Sequence, residues 1–278
     1  VGLYNDIFAY QAIPENCFTG MIGMANKRLT RVTNGGATGM HALQVAYEMV
    51  ASGEYPMVLC LGVEKATDPY DFQAQSPTPQ VVQTIAYSWD QHFERPLGAT
   101  ASDSYAQVIL AYMDEHPGDL DPVVRAQVVE LLCKQAQSNP HAQRLGEKVT
   151  ADDVLRSRYV VYPNRLLETC VYTEGAGAVI LAADGVAQEI CQQNGSTPLW
   201  IVGRGFAHEP YFPGTNIDRH KVLHRIYSDY LGAKRAFEMA GLTPADIGIF
   251  ELHDAFAAQL MITVAEFGFV PLGQANRT

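Results

Sequence analysis

Residues 57–63, MVLCLGV, are apolar without interruption. A run this short has no polar face to offer water. It reads as a strand covered on both sides, of the kind parallel sheets use. Residues 37–51 precede it and read as a helix, with Met40, Leu43, Ala46, Tyr47 and Val50 on one stripe. Ser52-Gly53 stops that helix. Residues 31–39 read as a strand end entering a glycine-rich turn, where Asn34, Gly35 and Gly36 tolerate backbone angles that other residues avoid. Strand, helix, strand in this order is a βαβ unit, and it commits the chain to an α/β fold.

The rest of the chain continues the alternation. Residues 68–121 are less regular, rich in proline and aromatics, and read as an insertion over the sheet with a helix at 101–115. Residues 122–137 form an amphipathic helix with proline in its first turn, and Thr150 caps a short helix at 154–157. Residues 174–183, 199–206 and 247–252 read as three further strands, the first of them buried. Residues 227–240 and 255–267 read as helices.

The balance of 278 residues, 47% of them hydrophobic and 18% charged, fits a folded enzyme-like globule. A net charge of −11 repels phosphate backbones, so nucleic acid is not an expected partner. An anionic coenzyme A ester would need local helix N-termini or a basic patch. The five cysteines are odd in number and irregularly spaced, with no CxxC pair, which fits a reducing cytosol. No apolar run approaches the ~20 residues that span a bilayer. No signal peptide is visible, and a start on VGLYNDIF without Met fits a chain that begins mid-protein. No permanently bound cofactor and no metal set is expected.

The turn at Gly35-Gly36 has chemistry of its own. The free N–H groups of a first helical turn and the helix dipole point into such a bend. That favours a thiolate, an oxyanion or a phosphate. The plain alternative is a βα turn whose glycines serve packing alone.

The stretch VTNGGATGMHAL, followed by ASGEYPMVLCLGVEK, resembles the sterol-carrier-protein-2 (SCP2) type of the thiolase superfamily. Those enzymes read V-N-x-x-C-A-T/S-G-x-x-A-L and then a strand ending in G-x-E-K/R. YPNRLLETCVYTEGAGAVILA and GLTPADIGIFELHDAFA are similar to two further family blocks, in the family's order. The resemblance implies the five-layered αβαβα thiolase fold, incomplete at both ends. It implies an N-terminal thiolase half at 1–67, a loop domain at 68–160, a return to the first sheet at 161–185 and a C-terminal half at 186–278. The family's later G-H-P histidine and C-x-G cysteine would lie past Thr278.

By that resemblance Gly36 stands where the family carries its nucleophilic cysteine. A glycine cannot form an acyl-enzyme. Cys60, Cys17 and Cys170 lie in other segments and do not obviously substitute. Residues His253 and Asp254 end a predicted strand, where open α/β sheets place ligands. The family gives the histidine of H-D-x-F an oxyanion-hole role. Asp254 either orients His253 or caps the helix that follows. His41 either faces the pocket or is an ordinary helix residue. His208 and Tyr211 fall in a loop that lies near the coenzyme A site in the family, and Tyr211 is a candidate acid/base phenol.

Thiolase chemistry joins capture of an acyl group to stabilisation of an acyl-CoA enolate. Without the cysteine the second part survives. A cysteine-less branch of the SCP2-thiolase-like group cleaves β-hydroxyacyl-CoA esters in bacterial steroid side-chain breakdown. Its members also show G-G at the nucleophile's place, and they work with a small zinc-ribbon/OB-fold partner of the DUF35 type. They can carry tyrosine where this chain has His253, so the identity of the base stays open. The expectation is a cytoplasmic, homodimeric retro-aldolase acting on an acyl-CoA. The alternatives are a 3-ketoacyl-CoA thiolase or acetyltransferase whose cysteine was replaced, and a non-catalytic acyl-CoA-binding subunit.

Overall fold

The computed structural model describes residues 1–4, 6–9, 12–65, 70–71, 76–77, 84–209 and 223–278. It contains two compact units. The first comprises Val1–Gly98 and Tyr172–Trp200, and the second Ala99–Val171 and Ile201–Thr278. The mixture of helices and strands makes the chain α/β.

In the first unit, α1 is Glu15–Thr19, α2 is Thr38–Ala51, β1 is Met57–Glu64, β2 is Tyr70–Asp71 and β3 is Ser76–Pro77. After β4 (Tyr159–Val161) and β5 (Asn164–Arg165) of the second unit, the chain returns as β6 (Gly175–Ala182). Strands β1 and β6 pair antiparallel from Met57↔Ala182 to Glu64↔Gly175. On the other side of β1, Gly2 makes a parallel bridge to Gly62 and a second one to Val32. The direction expected of a βαβ unit is therefore present, with the chain start inserted between its strands.

Two expectations about burial are corrected. β1 is only partly covered, with Cys60 its one buried residue, and the first six residues of β6 are exposed. Strand β6 is outermost among the described strands of this ladder, so neither its face nor its edge is fully covered. The stripe on α2 also differs. Its buried residues are Thr38, Ala42 and Ala46, while Met40 is exposed. Four-residue spacing stacks these small side chains on one face. Ala42 and Ala46 then meet Cys60, with Leu43, Val58 and Leu181 around them.

The second unit is mainly helical: α3 (Ala101–Glu115), α4 (Pro122–Ala136), α5 (Ala151–Arg156), α7 (Tyr227–Ala240) and α8 (Ala257–Glu266). Helix α6 (Asp184–Asn194) belongs to the first. The local signals work as read. Asp121 accepts from Val123 N at 2.7 Å ahead of Pro122, and Thr150 and Asp153 form a capping box. Every residue of α8 is buried. Leu260, Met261, Ile262 and Val264 pack with Ile109, Tyr112, Leu120 and Val128. Asp119 accepts from Tyr112 Oη at 2.9 Å and from Ala275 N and Asn276 N at 2.8 Å, fastening the segment after α8 to this core.

The expected strands at 199–206 and 247–252 join no described ladder. For residues 203–206 the reason is visible. Gly203 and Gly205 lie against the backbone of α7, where a side chain on Gly205 would overlap the Gly232 carbonyl. Arg235 donates to the Phe206 carbonyl. The segment spends its backbone approach on a helix instead of a strand. Because Met261 is fully buried at the centre of this unit, Met261→Ala is expected to cost about 2–5 kcal/mol, measured as a lower urea midpoint at unchanged slope.

Candidate active site

In the first unit the elbow is tightly bonded within itself. Gly35 has φ of 54°, the left-handed region that glycine reaches without strain. Thr38 Oγ1 accepts from Asn34 N at 2.8 Å and donates to the Gly35 carbonyl at 2.7 Å. Asn34 Nδ2 lies 2.6 Å from His41 Nε2, so His41 is tied to the turn. Ala37, the N-cap of α2, offers no side-chain cap, which leaves the positive end of the helix to the turn. Gly36 is different from Gly35. Its φ is not left-handed, and a Cβ placed there would meet nothing within 4 Å. Neither backbone conformation nor packing requires a glycine at that position.

Glu64, at the end of β1, accepts from Tyr4 N at 2.8 Å. Burial pushes its carboxyl up, and the N–H groups of Tyr4 and Lys65 pull it down. All five cysteines are free. Cys60 is buried in β1, and burial pushes its thiol up. Cys170, in the second unit, is exposed, yet partial desolvation first and Asp254 second push its thiol up as well. Neither is an activated thiolate.

In the second unit His253 and Asp254 are exposed, and Ala255 and Phe256 behind them are buried. Thr169 bridges Phe256, and Cys170 N donates to the Ala255 carbonyl at 2.9 Å. Helix α8 starts at Ala257 with Phe256 as N-cap and no side-chain cap, so Asp254 does not cap it. That correction leaves Asp254 beside His253 and within electrostatic reach of Cys170. Gln259 Nε2 donates to the His253 carbonyl at 3.1 Å and to Thr263 Oγ1 at 3.0 Å. Thr263 Oγ1 donates to Asp229 Oδ2 at 2.7 Å.

Around this corner lies a group of acids. Burial, reinforced by Glu209 and Glu266, pushes Asp229 up to about 6 against the pull of the Thr263 hydrogen bond. Burial likewise pushes the Tyr105 phenol up to about 12, with Asp229, Glu209 and Cys170 adding to it. The Tyr105 ring lies 5.2 Å from that of Phe256. Glu209 is held at the first turn of α7, accepting from Tyr227 N at 3.1 Å and Ser228 Oγ at 2.8 Å. Glu266 is matched by Arg225 through contacts of 2.9 and 2.6 Å.

Tyr105, Cys170, Glu209, Asp229 and Asp254 thus belong to one unit and interact electrostatically, and His253 is joined to them through the bond that its carbonyl accepts from Gln259. His208 is exposed and immediately precedes the anchored Glu209. Tyr211 lies outside the described residues. Tyr105, Asp229 and Gln259 carry no mark in the sequence: Asp229 reads as an ordinary first-turn acid, and Tyr105 as one more helix aromatic. The one available signal is Gln259 and Thr263, spaced by four in the otherwise apolar run AAQLMITVAE. Among the described residues no three His, Cys, Asp or Glu side chains are grouped to hold a metal, and no helix is long and apolar enough to cross a membrane.

Asp229 gives a signed pH prediction. Its folded pKa of about 6 lies above the ordinary value of 3.8 that the unfolded chain shows. The unfolded chain therefore loses this proton first, and stability falls as pH rises through that window, by roughly 3 kcal/mol in all. Asp229→Asn removes the loss. Its urea-unfolding free energy relative to the parent is expected to be lowest near pH 4, to climb towards pH 7 and then to level off. A difference that stays flat across this range contradicts the assignment.

A thiolase C-terminal domain-like family model matches residues 228–278. An acetyl-CoA acetyltransferase of Methanothermobacter thermautotrophicus is 34% identical over 249 residues, covering 89% of this chain and 60% of the relative. A steroid side-chain-cleaving aldolase of Thermomonospora curvata is 26% identical over 261 residues, covering 90% of this chain and 62% of the relative. The chain spans about 60% of the length of these curated relatives. The solved structure of an Ltp2-ChsH2(DUF35) aldolase superposes with a TM-score of 0.75 at 23% identity, over 99% of this chain and 68% of that one, and shows the same fold. With the four motif blocks in the sequence, these matches support an SCP2-like kinship within the thiolase superfamily, and the structure has the thiolase fold.

Proposed function

We propose that the protein is a retro-aldolase that cleaves a β-hydroxyacyl-CoA through an acyl-CoA enolate. The observation that carries the proposal is Gly36, a glycine that neither backbone nor packing demands, at the place of the family's nucleophile. An acyl-enzyme has no atom to form on there. The other half of thiolase chemistry, stabilising an enolate by fixed donors, needs no thiolate.

In the reaction, a base takes the β-hydroxyl proton. The Cα–Cβ bond breaks, Cβ becomes a ketone or aldehyde carbonyl, and the bonding pair passes to Cα as the enolate. Protonation at Cα then gives the shortened acyl-CoA. His253 is the candidate base, since imidazole exchanges protons near neutral pH, with Asp254 to orient it. Tyr105, held as a neutral phenol, is a donor for the developing charge or an acid, not a base. Gly35, Gly36 and His41 form the elbow at a helix N-terminus, a setting for an oxyanion. His208 is the candidate contact for the coenzyme A moiety, and Tyr211, outside the described residues, remains a candidate acid/base phenol. No bound cofactor takes part, because the coenzyme is the substrate's own.

The aldolase relative supports this reading by its name. The solved Ltp2-ChsH2(DUF35) aldolase, which pairs its two named components, supports a DUF35-type subunit here, and a homodimer is expected with it. The acetyltransferase relative is more similar and favours acyl transfer, but that chemistry requires the side chain Gly36 lacks.

With its partner, the full-length protein is expected to release acyl-CoA and a carbonyl product from β-hydroxyacyl-CoA without added coenzyme A. Coenzyme A-dependent thiolysis of a β-ketoacyl-CoA at an ordinary enzymatic rate would overturn the proposal. Tyr105→Phe is expected to lower kcat by about 10²–10⁴, read in the same assay. Gly36→Cys is expected to fold as the parent does, seen as an unchanged thermal midpoint.

A further inference from the structure

Helix α8 buries three polar side chains, Gln259, Thr263 and Glu266, each 2–3% exposed. Buried polar groups are costly unless bonded, so each must be matched. Arg225 matches Glu266. The other two are matched in a line that leads to the candidate site. Thr263 gives its one proton to Asp229, and Gln259 gives both of its amide protons, one to Thr263 and one to the main chain of His253. Among the described residues the Gln259 Oε1 atom has no partner, so the donor end of this amide is the bonded end.

The other end of the line matters because the His253-Asp254 corner is otherwise lightly held. Its flank is pinned at Ala255 and Phe256 by residues 169 and 170. Among the described residues, no hydrogen bond to the main chain of residues 251–254 accompanies the one from Gln259. A side chain with two fixed bonds cannot rotate, and it transfers that rigidity to the carbonyl it holds.

We propose that Gln259, held in place by Thr263 and Asp229, is the positioning residue of the His253-Asp254 corner. It touches no reacting atom. It sets where the His253 main chain stands, and so where the imidazole and the Asp254 carboxylate point. This rests on the retro-aldolase reading only in giving His253 a role in chemistry.

The sequence His-Asp occurs once in this chain, at 253–254. Labelling histidine carbonyls with ¹³C and aspartate amides with ¹⁵N in the full protein therefore reports this peptide bond as a single cross peak. Gln259→Met removes the donor at similar volume, and Thr263→Val removes the middle link. The His253 carbonyl resonance is expected to move in both, in the direction of a lost hydrogen bond. Thr263→Ser retains the hydroxyl and is expected to restore the parent position. On a β-hydroxyacyl-CoA, Gln259→Met is expected to lose about 10- to 100-fold in kcat, with KM within about twofold.

A resonance unmoved in the folded Gln259→Met or Thr263→Val protein overturns the proposal, as does a Thr263→Ser protein that behaves like Thr263→Val. Should Gln259→Met fail to fold, the valine and serine variants decide by themselves. A moved resonance with unchanged kcat also overturns it, since the bond would then be structural alone. The resonance needs no substrate. A parent protein without lyase activity therefore overturns the retro-aldolase reading and leaves the positioning to be decided by the cross peak.

Discussion

The second unit depends on the complete burial of one helix. Ala257–Glu266 has no face left for water. Each large apolar side chain it buries contributes about 1.5–3 kcal/mol, so the helix is where this unit's stability concentrates. The same burial leaves Gln259, Thr263 and Glu266 no choice of partner. Their bonds reach Asp229 and Arg225, in and just before the start of α7, and the His253 carbonyl before α8. The core and the corner that carries His253 are thereby built as one. A helix that packs for stability also sets the geometry of the segment leading into it.

Two adjacent glycines in the other unit show how differently the same residue type can be placed. Gly35 has a conformational reason, because its φ of 54° lies in the left-handed region that glycine enters without the strain most side chains bring. Gly36 is not required by anything around it. Gly205 is a third case, excluded from carrying a side chain by the Gly232 carbonyl. A glycine that conformation and packing both leave free is the one whose identity chemistry has to explain. The proposed function supplies that explanation, with Gly36 as an absent nucleophile at the positive end of a helix.

What the sequence made legible was local. The bounds of Ala101–Glu115 and Tyr227–Ala240 follow from side chains within a few residues, and so does the cap at Thr150. What it hid was non-local. Residues 203–206 belong to a run with a strand's composition, but pairing needs a neighbour, and theirs is the backbone of a helix some 30 residues on. The apolar run of β6 promised burial that depends on what lies beyond the strand. The site divides the same way. His253 and Asp254 sit in a motif. Asp229 is bonded to a residue 34 positions away, and no periodicity marks Tyr105 as its neighbour.

The electrostatics of the corner constrain which proton moves. Tyr105 and Asp229 share a poorly solvated region, where burial first, and nearby acids after it, push both groups up. Among the described residues, Glu266 is the one of these acids with a guanidinium directly upon it. Tyr105 therefore keeps its proton across the whole neutral range, which suits it to donate to a developing oxyanion and disqualifies it as the initial base. Asp229 titrates near 6, but its carboxylate points at Thr263, behind the corner. In the proposed positioning line it acts through the bond it accepts from Thr263. In the proposed retro-aldolase reading the proton of the substrate hydroxyl goes to a group on the exposed side, where His253 is the candidate because an imidazole can serve as general base and then as general acid.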